Sequence, residues 1–186
     1  MEQNTAMHYV CTHDEAWQLV KDRKQFWISN CGCRERRGEC TRSRIDLCLD
    51  FKQTSSSGGS NTKVVTLADV EDIFNEARVK HLVTRPFRNT DNHQVIDGIC
   101  FCCDDCCGYF LNPEEKCDKG EFIERTDIDT CTDCGLCVDV CYFAARTMEN
   151  ETLEISRENC NGCGLCVDMC PEMCIEMVHR GKYLIQ

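Results

Sequence analysis

Several signatures are missing from this 186-residue chain, and each absence narrows its reading. No stretch approaches the ~18 uninterrupted apolar residues that a membrane span requires. The opening "MEQNTAMHYV" carries no basic start followed by an apolar run, so no secretory signal is expected. There is no Gly-x-Gly-x-x-Gly and no phosphate loop, which leaves nicotinamide, flavin or ATP binding without support. No Cys-x-x-x-Cys-x-x-Cys triplet occurs, so the signature of radical chemistry on S-adenosylmethionine is absent. His81 and His93 are isolated, at no zinc-finger spacing from cysteine, and read as surface or packed residues. Positive charge is the minority: 21 Lys and Arg against 32 Asp and Glu give −11. A nucleic-acid partner would need a dominant basic face, so none is expected.

Cysteine is what the chain has in excess, 20 residues or more than one in ten. Such density means either a disulfide-stapled secreted scaffold or thiolates holding metal. With no secretory signal and no span, the expectation is a soluble, cytoplasmic protein whose thiols stay reduced, and metal is favoured. The basic residues cluster around the first cysteines: residues 21–52 hold nine Lys and Arg against five acids. Arg34, Arg36 and Arg37 read either as a solvated surface or as charges that offset a thiolate-bound centre or grip an acidic partner.

Periodicity divides the chain into an α+β arrangement. "DEAWQLVKDRK" reads as a helix and "FWISN" as a short strand. "TSSSGGSN", residues 54–61, is a polar loop. "TLADVEDIFNEARVKH" is an amphipathic helix with Thr66 as N-cap and Asp69 three residues on; Leu67, Val70, Ile73, Phe74 and Ala77 line one face. "LVTRPF" is a strand candidate. The expected domains are a cysteine-rich N-terminal α/β domain over 1–111, a turn-rich linker over 112–121 and a duplicated module over 122–186.

The duplication lies in "CTDCGLCVDVC" at 131 and "CNGCGLCVDMC" at 160, identical at eight of eleven positions. β-prone runs flank each copy, which predicts two strand–loop–helix–strand units related by a pseudo-twofold axis. Cys-x-x-Cys-x-x-Cys wraps a compact inorganic core so that three thiolates meet three corners of a cube. Gly135 and Gly164 let the main chain approach closely. The fourth cysteine starts a helix that carries it toward the other copy, a crossed ligation known for two-cluster bacterial runs. It predicts one 4Fe–4S cluster on Cys131, Cys134, Cys137 and Cys170, and a second on Cys160, Cys163, Cys166 and Cys141. These residues closely resemble the bacterial-type ferredoxin family with two 4Fe–4S clusters, over about residues 122–186. Pro171 follows the last cysteine as that family expects, whereas Tyr142 replaces proline in the first copy. Structural zinc has no use for the third cysteine of each run. Cys174 reads as a small buried residue beside the cluster, with ligation as the alternative.

Nine further cysteines occur upstream: Cys31, Cys33, Cys40, Cys48, Cys100, Cys102, Cys103, Cys106 and Cys107. They can supply eight ligands for two clusters, or four for one with spares. Structural zinc is the alternative. Adjacent pairs such as Cys102 and Cys103 point in different directions, so one short segment can serve two sites. The order Cys-x-Cys-Arg, then Ile-Cys-x-Cys-Cys-x-x-Cys-Cys-Gly, resembles an N-terminal region of anaerobic iron–sulfur proteins, with Phe101 where a polar residue would be expected. That likeness implies one or two further iron–sulfur clusters and names no substrate. Cys11 and Cys117 are assigned nothing. The expected function is low-potential electron transfer, as a relay subunit or partner of a larger anaerobic oxidoreductase and not itself catalytic. The alternatives are a catalytic iron–sulfur protein with a substrate-accessible N-terminal cluster, or a redox or oxygen sensor.

Overall fold

The computed structural model describes residues 5–53, 59–112 and 114–183; residues 54–58 of the expected Ser/Gly loop lie outside them. The first part contains α1 (His13–Lys21), β1 (Phe26–Ser29), α2 (Gly32–Arg37), β2 (Cys48–Asp50), β3 (Lys63–Val65), α3 (Leu67–Val79), β4 (Val83–Arg88), β5 (Ile96–Cys102) and α4 (Gly108–Leu111). Both longer helices start on capping boxes, Thr12 with Glu15 and Thr66 with Asp69. Each box satisfies two otherwise orphaned N–H groups and sets where the helix begins.

The five strands form one sheet in the order β3-β1-β2-β5-β4. Every neighbouring pair is antiparallel. The α/β region expected over 1–111 thus mixes helices with a wholly antiparallel sheet, whose neighbouring strands need no crossover helices. α1 and α3 bury Ala16, Val20, Val70, Ile73, Phe74 and Ala77 in one core with Phe26, Ile28, Leu49, Ile99 and Phe101. Phe74 anchors it, meeting Trp17 and Phe101 edge-on at 5.1 and 5.2 Å. Phe101 is 2% exposed, and its core packing explains the apolar residue between two cysteines of β5.

The second part contains β6 (Phe122–Thr126), α5 (Leu136–Asp139), β7 (Arg146–Glu149), β8 (Thr152–Ile155), α6 (Leu165–Met169), β9 (Ile175–His179) and α7 (Arg180–Tyr183). β6 pairs with β9 and β7 with β8, both antiparallel. The strand before each motif thus pairs with the strand after the other. The backbone repeats as well: Asp133 and Gly162, Gly135 and Gly164, and Ala144 and Met173 occupy equivalent places and all have positive φ. For Asp133, Ala144 and Met173 that conformation costs about 1–2 kcal/mol each. Strain of this kind persists only where the surrounding fold over-determines the loop.

The two parts share an apolar seam. Val10, Val83, Cys102 and Cys107 from the first pack with Val140 and Leu165 from the second, with Tyr109, Phe110, Tyr142 and Phe143 around them. The segment between the parts is held at both ends: Asp118 accepts from Val10 N and donates to His8 O, and Gly120 N donates to Asn161 O. No helix among the described residues is long and apolar enough to cross a membrane.

Candidate metal centres

All twenty cysteines are free. In the duplicated region they gather into two recesses. One is lined by Cys131, Cys134, Cys137 and Cys170, floored by Leu153 and Ile175, with about 310 Å³ of empty space including its open mouth. The other is lined by Cys141, Cys160, Cys163 and Cys166 with Val140, Phe143 and Ala145, and has about 360 Å³ by the same measure. Each recess takes three cysteines from one motif and the last cysteine from the other. Cys174 is a fifth thiol in the first recess, its Sγ 3.3 Å from that of Cys170.

Local conformation creates these cradles. Gly135 and Gly164 open α5 and α6 with φ of 77° and 79°. At Gly162, φ is +83° and a Cβ would sit 2.2 Å from the Phe122 carbonyl oxygen, so no side chain fits. Burial pushes the Cys166 thiol up to about 12 and raises Cys163 further. Bare thiolates are therefore disfavoured there, and a cation must accompany their ionisation. Arg146, 2% exposed, provides fixed positive charge. Its Nη1 donates to Cys137 Sγ at 3.4 Å, and its Nη2 pairs with Glu124 at 2.6 Å and donates to Thr126 Oγ1 at 2.7 Å. Arg146 also lines the second recess, so one guanidinium serves both. An all-thiol donor set, apolar walls and close main chain fit a 4Fe–4S cluster in each recess, and fit zinc poorly.

The upstream cysteines separate into a six and a three. Cys31, Cys33, Cys48, Cys100, Cys102 and Cys107 line one recess, where each sulfur's charge acts on its neighbours in a closed circuit. Cys40, Cys103 and Cys106 form a separate triad with Sγ atoms 3.4–3.6 Å apart. Because successive side chains diverge, the "CCDDCC" segment sends Cys102 and Cys107 to the circuit and Cys103 and Cys106 to the triad. The recess over the circuit holds about 850 Å³ of empty space including its open mouth, more than either C-terminal recess.

Nitrogen donors crowd the circuit. Cys33 Sγ accepts from Gly108 N and from Arg36 Nη2, both at 3.4 Å. Arg85, buried in β4, donates from Nη1 to Cys107 Sγ at 3.2 Å and to Cys102 Sγ at 3.8 Å, and from Nε to Cys117 Sγ at 3.4 Å. Such donors stabilise negative sulfur and tune the potential of a centre built on it. Arg34 lies fully buried between circuit and triad. Arg37 instead pairs with Asp105 at 3.2 Å. Cys11 donates to Thr84 Oγ1 at 3.7 Å and joins neither group.

Sequence reasoning left the nine upstream cysteines as one pool; the fold places Cys40 beside Cys103 and Cys106. It also missed Arg85 and Arg146 as sulfur partners. The available signal was an arginine alternating with apolar residues in a β-prone run, where a charge needs a buried counterpart. Tyr142 finds its role at the seam, edge-on to Phe110 at 5.8 Å and beneath Arg42 at 5.4 Å. A proline there would lose both contacts.

Residues 123–171 match the family described as 4Fe-4S dicluster domain. That stretch is an iron–sulfur, ferredoxin-like domain. No curated protein matches the chain.

Proposed function

We propose that the chain is a low-potential electron relay, working in the reducing cytoplasm as a subunit or partner of a larger oxidoreductase. The duplicated region holds two cubane clusters in crossed ligation about a pseudo-twofold axis, and the upstream circuit holds at least one more iron–sulfur centre. The crossed cysteine sets of the two recesses, the swapped strand pairing and the paired left-handed residues support the first part of this reading. Six mutually facing thiols under Arg36 and Arg85 support the second.

The observation that carries a relay, as opposed to two unconnected modules, is the seam. Cys100, Cys102 and Cys107 of the circuit and Cys163 of the second recess belong to one apolar cluster. When bound, the clusters supply reversible one-electron transfer. The chain's own residues do the rest. Val10, Val83, Val140 and Leu165 exclude water from the space between the centres. Arg85 and Arg146 set the local charge at either side of it. The −11 net charge would steer the protein toward a basic patch on its partner, in a salt-sensitive manner.

The test is anaerobic reduction followed by electron paramagnetic resonance. Neighbouring reduced centres across a dry seam broaden one another's signals, and Leu165→Asp should weaken that interaction while both C-terminal clusters persist. Sharp, non-interacting signals from a fully reduced wild-type chain would count against the relay.

A further inference from the structure

The Cys40, Cys103 and Cys106 triad is too tight for a cubane. In tetrahedral coordination, thiolates sharing one ion at a bond length of ~2.3 Å stand about 3.8 Å apart. Thiolates on separate corners of a cube stand much further apart, because a metal–metal edge and two diverging metal–sulfur bonds lie between them. The observed separations of 3.6, 3.4 and 3.4 Å are those of thiols in contact, and a small outward movement brings them to the single-ion spacing, far short of the cubane one. A disulfide needs ~2.05 Å, so these are three separate sulfurs. Among the described residues no imidazole, carboxylate or fourth thiol lies within ligand reach of all three sulfurs, although the Asp105 carboxylate contacts Cys40 from the edge. Cys103 and Cys106 are buried while Cys40 is half-buried, so the remaining side faces solvent.

Arg34 is the second, independent observation. Its side chain is 2% exposed, and only Nη2 has a conventional acceptor, the Phe101 carbonyl at 3.1 Å. Its Nε and Nη1 make no hydrogen bond within ordinary limits. The groups acting on its charge are the sulfurs of Cys31, Cys40 and Cys106. A buried cation is costly without anions around it, and neutral thiols at Cys40 and Cys106 would leave Arg34 with negative charge only on its Cys31 side. Three thiolates around one divalent ion carry a net single negative charge, which Arg34 can neutralise directly.

We propose that Cys40, Cys103 and Cys106 bind one tetrahedral divalent ion of the zinc class, with a solvent molecule in the fourth position, separate from the iron–sulfur centres. Three protein ligands and an exchangeable fourth position define a Lewis-acid site, unlike a closed structural one. The inference does not depend on the relay reading, since it concerns a metal other than iron and a different set of thiols.

Zinc-edge X-ray absorption on the full chain, purified anaerobically from zinc- and iron-replete cells, sees this ion without interference from iron. The expected result is one zinc per chain with three sulfurs at ~2.3 Å and one oxygen or nitrogen. Cys40→Ser and Cys106→Ser should each lower the zinc content at least fivefold while iron and acid-labile sulfide stay unchanged. Cys11→Ser, at a buried thiol outside both groups, should change neither metal. Absence of zinc from the wild-type chain, four sulfurs around it, or loss of iron in place of zinc in the triad variants would overturn the proposal. Because the wild-type spectrum decides by itself, a variant that fails to fold does not rescue it.

Discussion

Arg146 offers the sharpest perturbation, because a single buried guanidinium touches Cys137 and also lines the recess of Cys160, Cys163 and Cys166. Replacing Arg146 by Gln removes one positive charge 3.4 Å from a ligand sulfur. At an effective dielectric of about 20, a unit charge at that distance is worth about 5 kcal/mol. An added electron spreads over the cluster core, at roughly twice the distance, which halves the figure to about 2.5 kcal/mol. At 59 mV per 1.4 kcal/mol for a one-electron couple, the expected fall in potential is about 100 mV. The sign is downward, since the lost cation stabilised the reduced, more negative form. Titration followed by electron paramagnetic resonance should show the fall at both C-terminal clusters, while Arg146→Lys shifts them much less. Glu124 keeps Arg157 at 3.2 Å but loses its closer partner, so Arg146→Gln should also cost about 3–5 kcal/mol of stability. The double variant Glu124→Gln/Arg146→Gln should recover most of that loss. Two assembled clusters with potentials within about 20 mV of wild type would refute the electrostatic argument.

Three other outcomes follow from the geometry. Under crossed ligation, Cys131→Ser/Cys170→Ser damages one cluster and leaves the other intact, whereas Cys131→Ser/Cys141→Ser damages both; iron counts and resonance spectra distinguish this from uncrossed ligation, which predicts the reverse. Gly162→Ala should destabilise the cluster-bound chain more than Gly135→Ala, in chelator-challenge half-life. The first drives a Cβ to 2.2 Å from the Phe122 carbonyl oxygen, while the second meets only the flexible Met148 side chain at 3.7 Å and costs about 1–2 kcal/mol for its backbone conformation. Anaerobic iron chelation should unfold residues 122–186, because so small a unit buries little apolar surface without its clusters; native-like circular dichroism in the metal-free chain would contradict this.

Much of the C-terminal site was legible because its chemistry is written locally. Three cysteines at fixed spacing lie within one loop, and the duplication led to the expectation that the last cysteine of each run faces the other recess, where the fold puts it. The α3 cap at Thr66 and Asp69 was equally local, and it begins the helix as expected. The upstream region was harder for a physical reason. Its thiols come from α2, β2, β5 and the segment after β5, and only the antiparallel pairing of β2 with β5 brings Cys48 toward Cys100. Cys40 and Cys103 are 63 residues apart, and nothing in the spacing announces their contact. β5 was hidden because Asp97 and Gly98 interrupt its start and Phe101 separates its two cysteines, which blurs the period-two pattern. The seam was invisible too, since Tyr142 reads as a departure from a motif until Phe110 and Arg42 are seen beside it.

Iron and acid-labile sulfide per anaerobically purified chain test the central claim most directly. Two crossed cubanes require at least eight irons and eight sulfides, and one or two further cubane equivalents on the upstream thiols raise the totals to twelve or sixteen. Zinc without inorganic sulfide in the duplicated region, or cystines in place of its free thiols, would contradict the account.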